Sequence, residues 1–257
     1  MPSMQPFATK VIAVTGAGSG IGRATAIYLA QRGATLAISD VNKASLDAVA
    51  AEILAEIPSA KVLTSAIDVS KADQVKSWIS QTVAKFGKLD GAANIAGTAG
   101  REQQGDPVDA QTDIDWNFVL DVNLTGTMYC LREELQVLSE GGSIVNASSV
   151  LGLRSSPTPG GSPYVASKHG VLGLTRSVAR EYGHKNIRVN CVNPGAIATP
   201  MMGSYHGQEN PLPEYINPPI TRWGTPLEVA QLIGFLLGDE SRYISGTSVV
   251  IDGGLIC

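Results

Sequence analysis

Short apolar runs of strand length alternate along this chain with longer stretches whose apolar residues recur at helical spacing. Strands are expected over 10–15, 34–39, 61–67, 89–94, 144–146, 187–192 and 248–251. Helices are expected between them over 23–32, 43–57, 72–86, 115–138, 163–182 and 225–237. Gly33 and Gly87 stand where the first and third helices should stop, and Pro226 with Glu228 suits the opening turn of the last. This alternation predicts an α/β domain, a doubly wound, seven-stranded parallel sheet with helices on both faces. Ligands then belong at the C-terminal ends of the strands. No internal linker or repeat breaks the pattern, so residues 1–257 form one domain. Residues 1–9 are expected to be a loose tail, 98–112 a long polar loop, and 198–222 a lid over the substrate.

The polar positions that carry chemistry fall at those strand ends. The first strand runs straight into Gly16-Ala17-Gly18-Ser19-Gly20-Ile21-Gly22, which opens the first helix. Such a turn lets backbone N–H groups approach a pyrophosphate at a helix N-terminus, where the dipole favours negative charge. Asp40 ends the second strand. A carboxylate there binds both ribose hydroxyls of adenosine and repels a 2′-phosphate. No Lys or Arg lies among residues 16–22, so the charge pattern favours NAD over NADP. Asp40 could equally cap the helix over 43–57, and the two readings are compatible.

The fifth strand is followed by Ser148 and Ser149, and the next helix carries Tyr164 and Lys168. Four apart on a helix, these two share a face. An ammonium against a phenol favours the phenolate and pulls its pKa, ordinarily about 10, toward working pH. That makes a general acid/base, and a serine hydroxyl nearby can bind the oxygen that exchanges the proton. A tyrosine and lysine at this spacing are common on exposed helices, so the pair gains meaning only from its surroundings.

Composition narrows the class. Hydrophobic residues make up 44% and charged residues 16%, with aromatics at 5%, which suits tight helix-on-sheet layers and not a disordered chain. A net charge of −4 argues against nucleic-acid and anionic-membrane partners. No run approaches the roughly 18 apolar residues of a membrane span, and the opening MPSMQPFATK lacks the layout of a secretion signal. Cys130, Cys191 and Cys257 have no metal spacing, which suits reduced thiols and a cytoplasmic protein. His169, His184 and His206 form no metal pattern either, so no metal is expected.

Taken together, these motifs resemble the short-chain dehydrogenases/reductases in their compact form, over essentially the whole chain and in the family's order. Thr15-Gly16, Ser19, Gly20, Ile21 and Gly22 resemble the family's cofactor loop, and Asp68-Val69 the pair that contacts adenine. Asn94-Ile95-Ala96-Gly97 is similar to its Asn-Asn-Ala-Gly signature, with Ile95 departing at the second position. Asn123, Ser149, Tyr164 and Lys168 match its catalytic tetrad. Pro194, Gly195, Ile197 and Thr199 resemble the segment that holds the nicotinamide carboxamide. The loop between Ser149 and Tyr164, marked by Pro157, Pro159, Gly160 and Gly161, is longer than the resemblance implies.

The resemblance implies a Rossmann-like fold and hydride transfer between NAD(H) and a carbinol carbon. Tyr164 would be the base, Ser149 would bind the same oxygen, and Lys168 would lower the Tyr164 pKa and hold the nicotinamide ribose. Asn123 would hold a relay water; its plain structural alternative is a helix-interior Asn satisfying backbone groups. The expected substrate is a medium-sized, partly apolar secondary alcohol or ketone, walled by Leu151, Leu153, Met201, Met202, Tyr205, His206, Tyr215 and Ile216. An NADP-linked reductase is opposed by Asp40, and a non-redox protein on the same fold by the complete tetrad. The helices over 115–138 and 163–182 carry apolar faces broader than one sheet needs, among them Trp116, Leu120, Leu124, Met128, Leu172 and Leu174. A homo-oligomer, tetramer before dimer, is therefore expected.

Overall fold

The computed structural model describes residues 5–100, 107–205 and 211–257. The first four residues of the expected tail, residues 101–106 of the polar loop, and His206 lie outside the described residues.

Seven strands form one parallel sheet: β1 (Val11–Thr15), β2 (Thr35–Asp40), β3 (Val62–Ala66), β4 (Leu89–Asn94), β5 (Leu138–Ala147), β6 (Arg188–Pro194) and β7 (Ser248–Ile251). Their order is β3-β2-β1-β4-β5-β6-β7, every pairing parallel. The order reverses between β1 and β4, so the crevice at their C-terminal ends is the topological switch point where such sheets bind ligands. The helices are α1 (Gly20–Gln31), α2 (Lys43–Glu56), α3 (Ala72–Phe86), α4 (Asp113–Leu120), α5 (Gly126–Val137), α6 (Ser162–Tyr182) and α7 (Pro226–Leu237).

Alternate residues of each central strand feed two cores. Ile12, Val14, Leu36, Ile38, Val145 and Val192 face α1, α2 and α7 through Leu29, Ile53 and Ile233. Val11, Ala13, Ala37, Ala92, Ile144 and Val189 face α3, α5 and α6 through Trp78, Ile79, Leu131 and Val178. This two-sided burial is why the strands read as unbroken apolar runs. In α3, Val75, Trp78, Ile79 and Thr82 make the buried stripe at helical spacing, and Gly87 ends the helix in the left-handed region at φ 82°. Truncating the fully buried Trp78 to Ala would cost about 3–5 kcal/mol.

Several local expectations differ from the structure. Residues 5–9 are anchored and not loose: Phe7 is 3% exposed in the core and its N–H donates to Arg32 O at 3.2 Å. The cap of α2 is Asn42, whose side chain accepts from Ser45 N at 3.1 Å, and not Asp40. The helix expected over 115–138 is α4 and α5 joined by a π-helical turn at Asp121–Thr125, with Asn123 at its middle. A π turn accommodates one extra residue and is common at functional sites, because it re-aims the side chain it contains. The segment expected as a lid is tied to Gly224 near its start, where Ala198 N donates to Gly224 O and Gly224 N to Ala196 O, each at 2.9 Å.

Candidate active site

The end of β1 sets the first wall. Thr15 Oγ1 accepts from Ile95 N at 3.0 Å and Ala96 N at 3.1 Å, which ties the turn after β4 to the turn after β1. Between β1 and α1 the backbone folds so tightly that a Cβ on Gly22 would lie 2.0 Å from Gly16 O. Only glycine permits that approach. The result is a cleft of about 530 Å³ lined by eleven of the expected cofactor residues: Gly16, Ser19, Gly20, Ile21, Gly22, Asp40, Asp68, Val69, Ala96, Gly97 and Thr199. Asp68 Oδ1 is turned onto Ser70, accepting from its N at 2.9 Å and its Oγ at 2.7 Å.

The other expected residues sit behind this lining. Asn94 is 3% exposed, beneath the floor. Pro194 pairs with Ile251 as the last residue of β6, Gly195 N donates to Ile251 O at 3.0 Å, and Ile197 is buried against Gly224. Ser39, Val41, Ile67, Thr98, Phe118 and Val122 line the cleft without having been singled out in the sequence. Phe118 and Val122, one helical turn apart, could have been found from that spacing; the rest occupy ordinary strand and turn positions.

The four residues expected as a catalytic group do not line this cleft but gather behind Gly97 and Thr98, which do. Ser149 follows β5; its Oγ accepts from Leu151 N at 3.1 Å, and its carbonyl accepts from Asn193 Nδ2 at 2.7 Å. The Ser149 side chain faces the Tyr164 phenol closely enough to pull its pKa down. Lys168 is 4% exposed; its Nζ donates to Ala147 O at 2.9 Å and lies 5.4 Å from the centroid of the Tyr164 ring. Asn123, fully buried, accepts from Thr98 N at 2.8 Å and donates to Thr98 O at 2.9 Å and Ser167 Oγ at 3.0 Å. Its carboxamide clamps the turn after β4, as the plain structural alternative has it.

The electrostatics differ in sign from expectation. Burial pushes the Tyr164 phenol up, against a smaller pull down from the Ser149 side chain. Burial pushes the Lys168 ammonium down from 10.5 to about 8. Desolvation disfavours the charged form of both groups, and here it is the larger cause for each.

The cleft fits a nicotinamide dinucleotide on its own residues. A Cβ on Gly97 would stand 3.2 Å from Asn123 Oδ1 and 3.3 Å from Lys168 Nζ. The side chain is missing where a ligand must reach the ammonium. The opposite end offers the N-terminus of α1 and the Asp40 carboxylate, donors and acceptor for a pyrophosphate and a ribose.

Fold and cleft define an oxidoreductase of the dinucleotide-binding α/β kind, and comparison with known proteins agrees. The family model described as Enoyl-(Acyl carrier protein) reductase matches residues 16–256. The short-chain dehydrogenase/reductase aba4 of Botryotinia fuckeliana is 47% identical over 264 residues, covering 99% of this chain and 100% of its own. Levodione reductase of Leifsonia aquatica is 41% identical, covering 96% and 94%. A crystal structure of levodione reductase superposes with a TM-score of 0.88 at 39% identity, covering 96% of this chain and 98% of that one. Cyclohexanol dehydrogenase of an Acinetobacter species is 37% identical, covering 96% and 95%. Two further neighbours share a TM-score of 0.87: a Burkholderia cenocepacia enzyme in complex with NADP (31% identity, covering 98% and 100%) and a Mycobacterium avium carveol dehydrogenase in complex with NAD (29%, 96% and 97%). The chain belongs to the short-chain dehydrogenase/reductase family, whose members use a nicotinamide cofactor.

Proposed function

We propose that the protein is an NAD(H)-dependent dehydrogenase/reductase that interconverts a secondary alcohol and a ketone on a medium-sized, partly apolar, cyclic substrate. The observation that carries the reading is the gathering of Ser149, Tyr164 and the buried Lys168 beside Gly97, which lines the same cleft as Asp40. The ring is suggested by the names of relatives, levodione reductase and cyclohexanol dehydrogenase. Apolar side chains fit it: Phe118, Val122 and Met201 line the cleft, and Leu151 and Leu153 follow Ser149 in the turn beyond β5.

In this mechanism residues of the 16–22 turn would hold the pyrophosphate, Asp40 the adenosine ribose, Asp68 and Val69 the adenine, Lys168 the nicotinamide ribose, and Thr199 with the 194–197 backbone the carboxamide. The bound cofactor supplies or accepts the hydride. Ser149 donates a hydrogen bond to the substrate oxygen and stabilises charge that develops there. Tyr164, kept neutral by burial, donates its proton to that oxygen when a ketone is reduced. In alcohol oxidation the phenolate takes the proton, and the Lys168 ammonium stabilises it. Asn123 holds Thr98 and the π turn in place around this group. We also take the protein to be a homo-oligomer, tetramer before dimer, and cytoplasmic, the latter resting on its free cysteines.

The test is a panel of cyclic and acyclic secondary alcohols and ketones with NAD(H) and NADP(H), read by the absorbance of the reduced nicotinamide. Turnover confined to primary alcohols, or to NADP(H), would refute it.

A further inference from the structure

Among the described residues four buried side-chain polar atoms lack a hydrogen-bond partner: Ser39 Oγ, Trp78 Nε1, Asn94 Oδ1 and Glu134 Oε1. The last two belong to a single pair. Asn94 Nδ2 donates to Glu134 Oε2 at 3.1 Å and to Asn146 Oδ1 at 3.0 Å, and Asn146 Nδ2 donates onward to Thr175 Oγ1 at 3.0 Å. Both hydrogens of the Asn94 amide are therefore used. One bare oxygen remains on each partner, and both are acceptors if Glu134 is a carboxylate.

A proton on Glu134 Oε1 resolves this. It converts that oxygen to a donor, offers Asn94 Oδ1 its missing partner, and removes a fully buried negative charge. We propose that Glu134 is a neutral carboxylic acid that forms a two-way acid–amide pair with Asn94, and that it thereby acts as a positioning residue for the cofactor cleft. Asn94 ends β4, and the next two N–H groups bind Thr15 Oγ1 in the floor of the cleft. A firm Asn94 fixes where that floor lies. This second part rests on the dinucleotide reading of the cleft; the acid–amide pair does not.

The surroundings favour the neutral acid. Burial pushes the Glu134 carboxyl from 4.5 up to about 7, against a smaller pull down from the Asn94 hydrogen bond. The titratable neighbour on α5 is Cys130, one turn back, whose thiol is itself pushed up by burial and by Glu134. The other elements packed here contribute Asn94 from β4, Asn146 from β5, Thr175 from α6, and the buried Val75, Trp78 and Ile79 from α3, which share core clusters with Cys130, Leu131 and Leu135 of α5. None of these carries a positive charge. The rival account is an ionised Glu134 whose oxygen, with Asn94 Oδ1, is satisfied by a trapped water.

Glu134→Gln reproduces the hydrogen-bonding pattern of the neutral acid and cannot ionise. Because the folded-state value lies above the unfolded one, the stability linked to this proton is full below pH 4.5 and declines as pH rises. It is gone above about pH 7. The variant should match the wild-type Tm at low pH and exceed it by about 3 °C or more at alkaline pH. A Tm difference that does not change with pH, or a variant less stable throughout, overturns the acid–amide pair. If the variant does not fold, infrared spectra of the wild type distinguish the two accounts. A protonated-carboxyl C=O band that titrates near neutrality supports the pair, and its absence overturns it.

The positioning role is read from NADH affinity by fluorescence. Glu134→Gln should bind as tightly as wild type in mild acid and severalfold more tightly at alkaline pH, whereas Glu134→Ala should bind weakly throughout. Equal affinity in all three proteins overturns positioning. A wild type that binds no nicotinamide nucleotide refutes the dinucleotide reading of the cleft, while the Tm and infrared measurements still decide for or against the acid–amide pair.

Discussion

The carboxylate of Asp40 accepts a hydrogen bond from the backbone N–H of Gly18 at 2.9 Å, across the mouth of the cleft. Its other oxygen accepts from Asn42 N at 2.8 Å, so the end of β2 is locked against the glycine turn. A Cβ on Gly18 would stand 2.8 Å from Asp40 Cγ, which makes the two positions a matched pair. The carboxylate is thereby held in place, with lone pairs left over for a ribose.

Replacing Asp40 tests the cofactor preference. A fixed negative charge facing a 2′-phosphate costs several kcal/mol. Asp40→Ala should therefore narrow the ratio of kcat/KM for NAD over NADP by about tenfold or more, since each 1.4 kcal/mol is a factor of ten. An unchanged ratio would mean that discrimination lies elsewhere.

Tyr164→Phe removes the proposed proton donor and little else. Turnover should fall by about 10²–10⁴-fold or more, while NADH affinity measured by fluorescence stays near wild type. Lys168→Ala should lower both. Near-normal turnover in the phenylalanine variant would sink the proposed chemistry.

Lys168 predicts an exchange of stability for activity. Its ammonium is buried and its pKa falls from 10.5 to about 8. The depressed folded-state value means that charging this group in the fold costs stability. The cost is full below about pH 8 and vanishes as pH rises toward 10.5. Lys168→Met should thus be inactive yet melt higher than wild type at neutral pH, by an amount on the order of 3 kcal/mol. The gap should close toward strongly alkaline pH. A lower Tm at neutral pH would show that the bond to Ala147 O outweighs the desolvation.

Self-association is the fourth expectation. Apolar side chains stand exposed along α7 and β7, with Leu227 at 49%, Phe235 at 43% and Val250 at 40%. On the other side Trp116, Leu120, Leu124 and Met128 are only partly covered. Both surfaces suit contact with further copies of the chain. Sedimentation equilibrium at micromolar concentration should give a multiple of the 26.8 kDa chain, the fourfold species favoured. A monomer alone would refute the assembly.

Element order, the parallel sheet and most of the cleft could be read from the sequence for a physical reason. Strands buried on both faces must be apolar throughout, helices covering them must be amphipathic, and a close backbone approach to a ligand requires glycine. Local rules of this kind leave local marks, as at Gly16, Gly22 and Asp40. Other features depended on what meets what across the sheet. Asn123 lies at helical spacing like its neighbours, and only the clamp on Thr98 and the π turn distinguish it. The signs of the Tyr164 and Lys168 shifts arise from how much protein surrounds them, which a four-residue spacing does not encode. Glu134 reads as one more charge in a helix. The fold encloses it completely and sets it against Asn94, forty residues earlier in the chain.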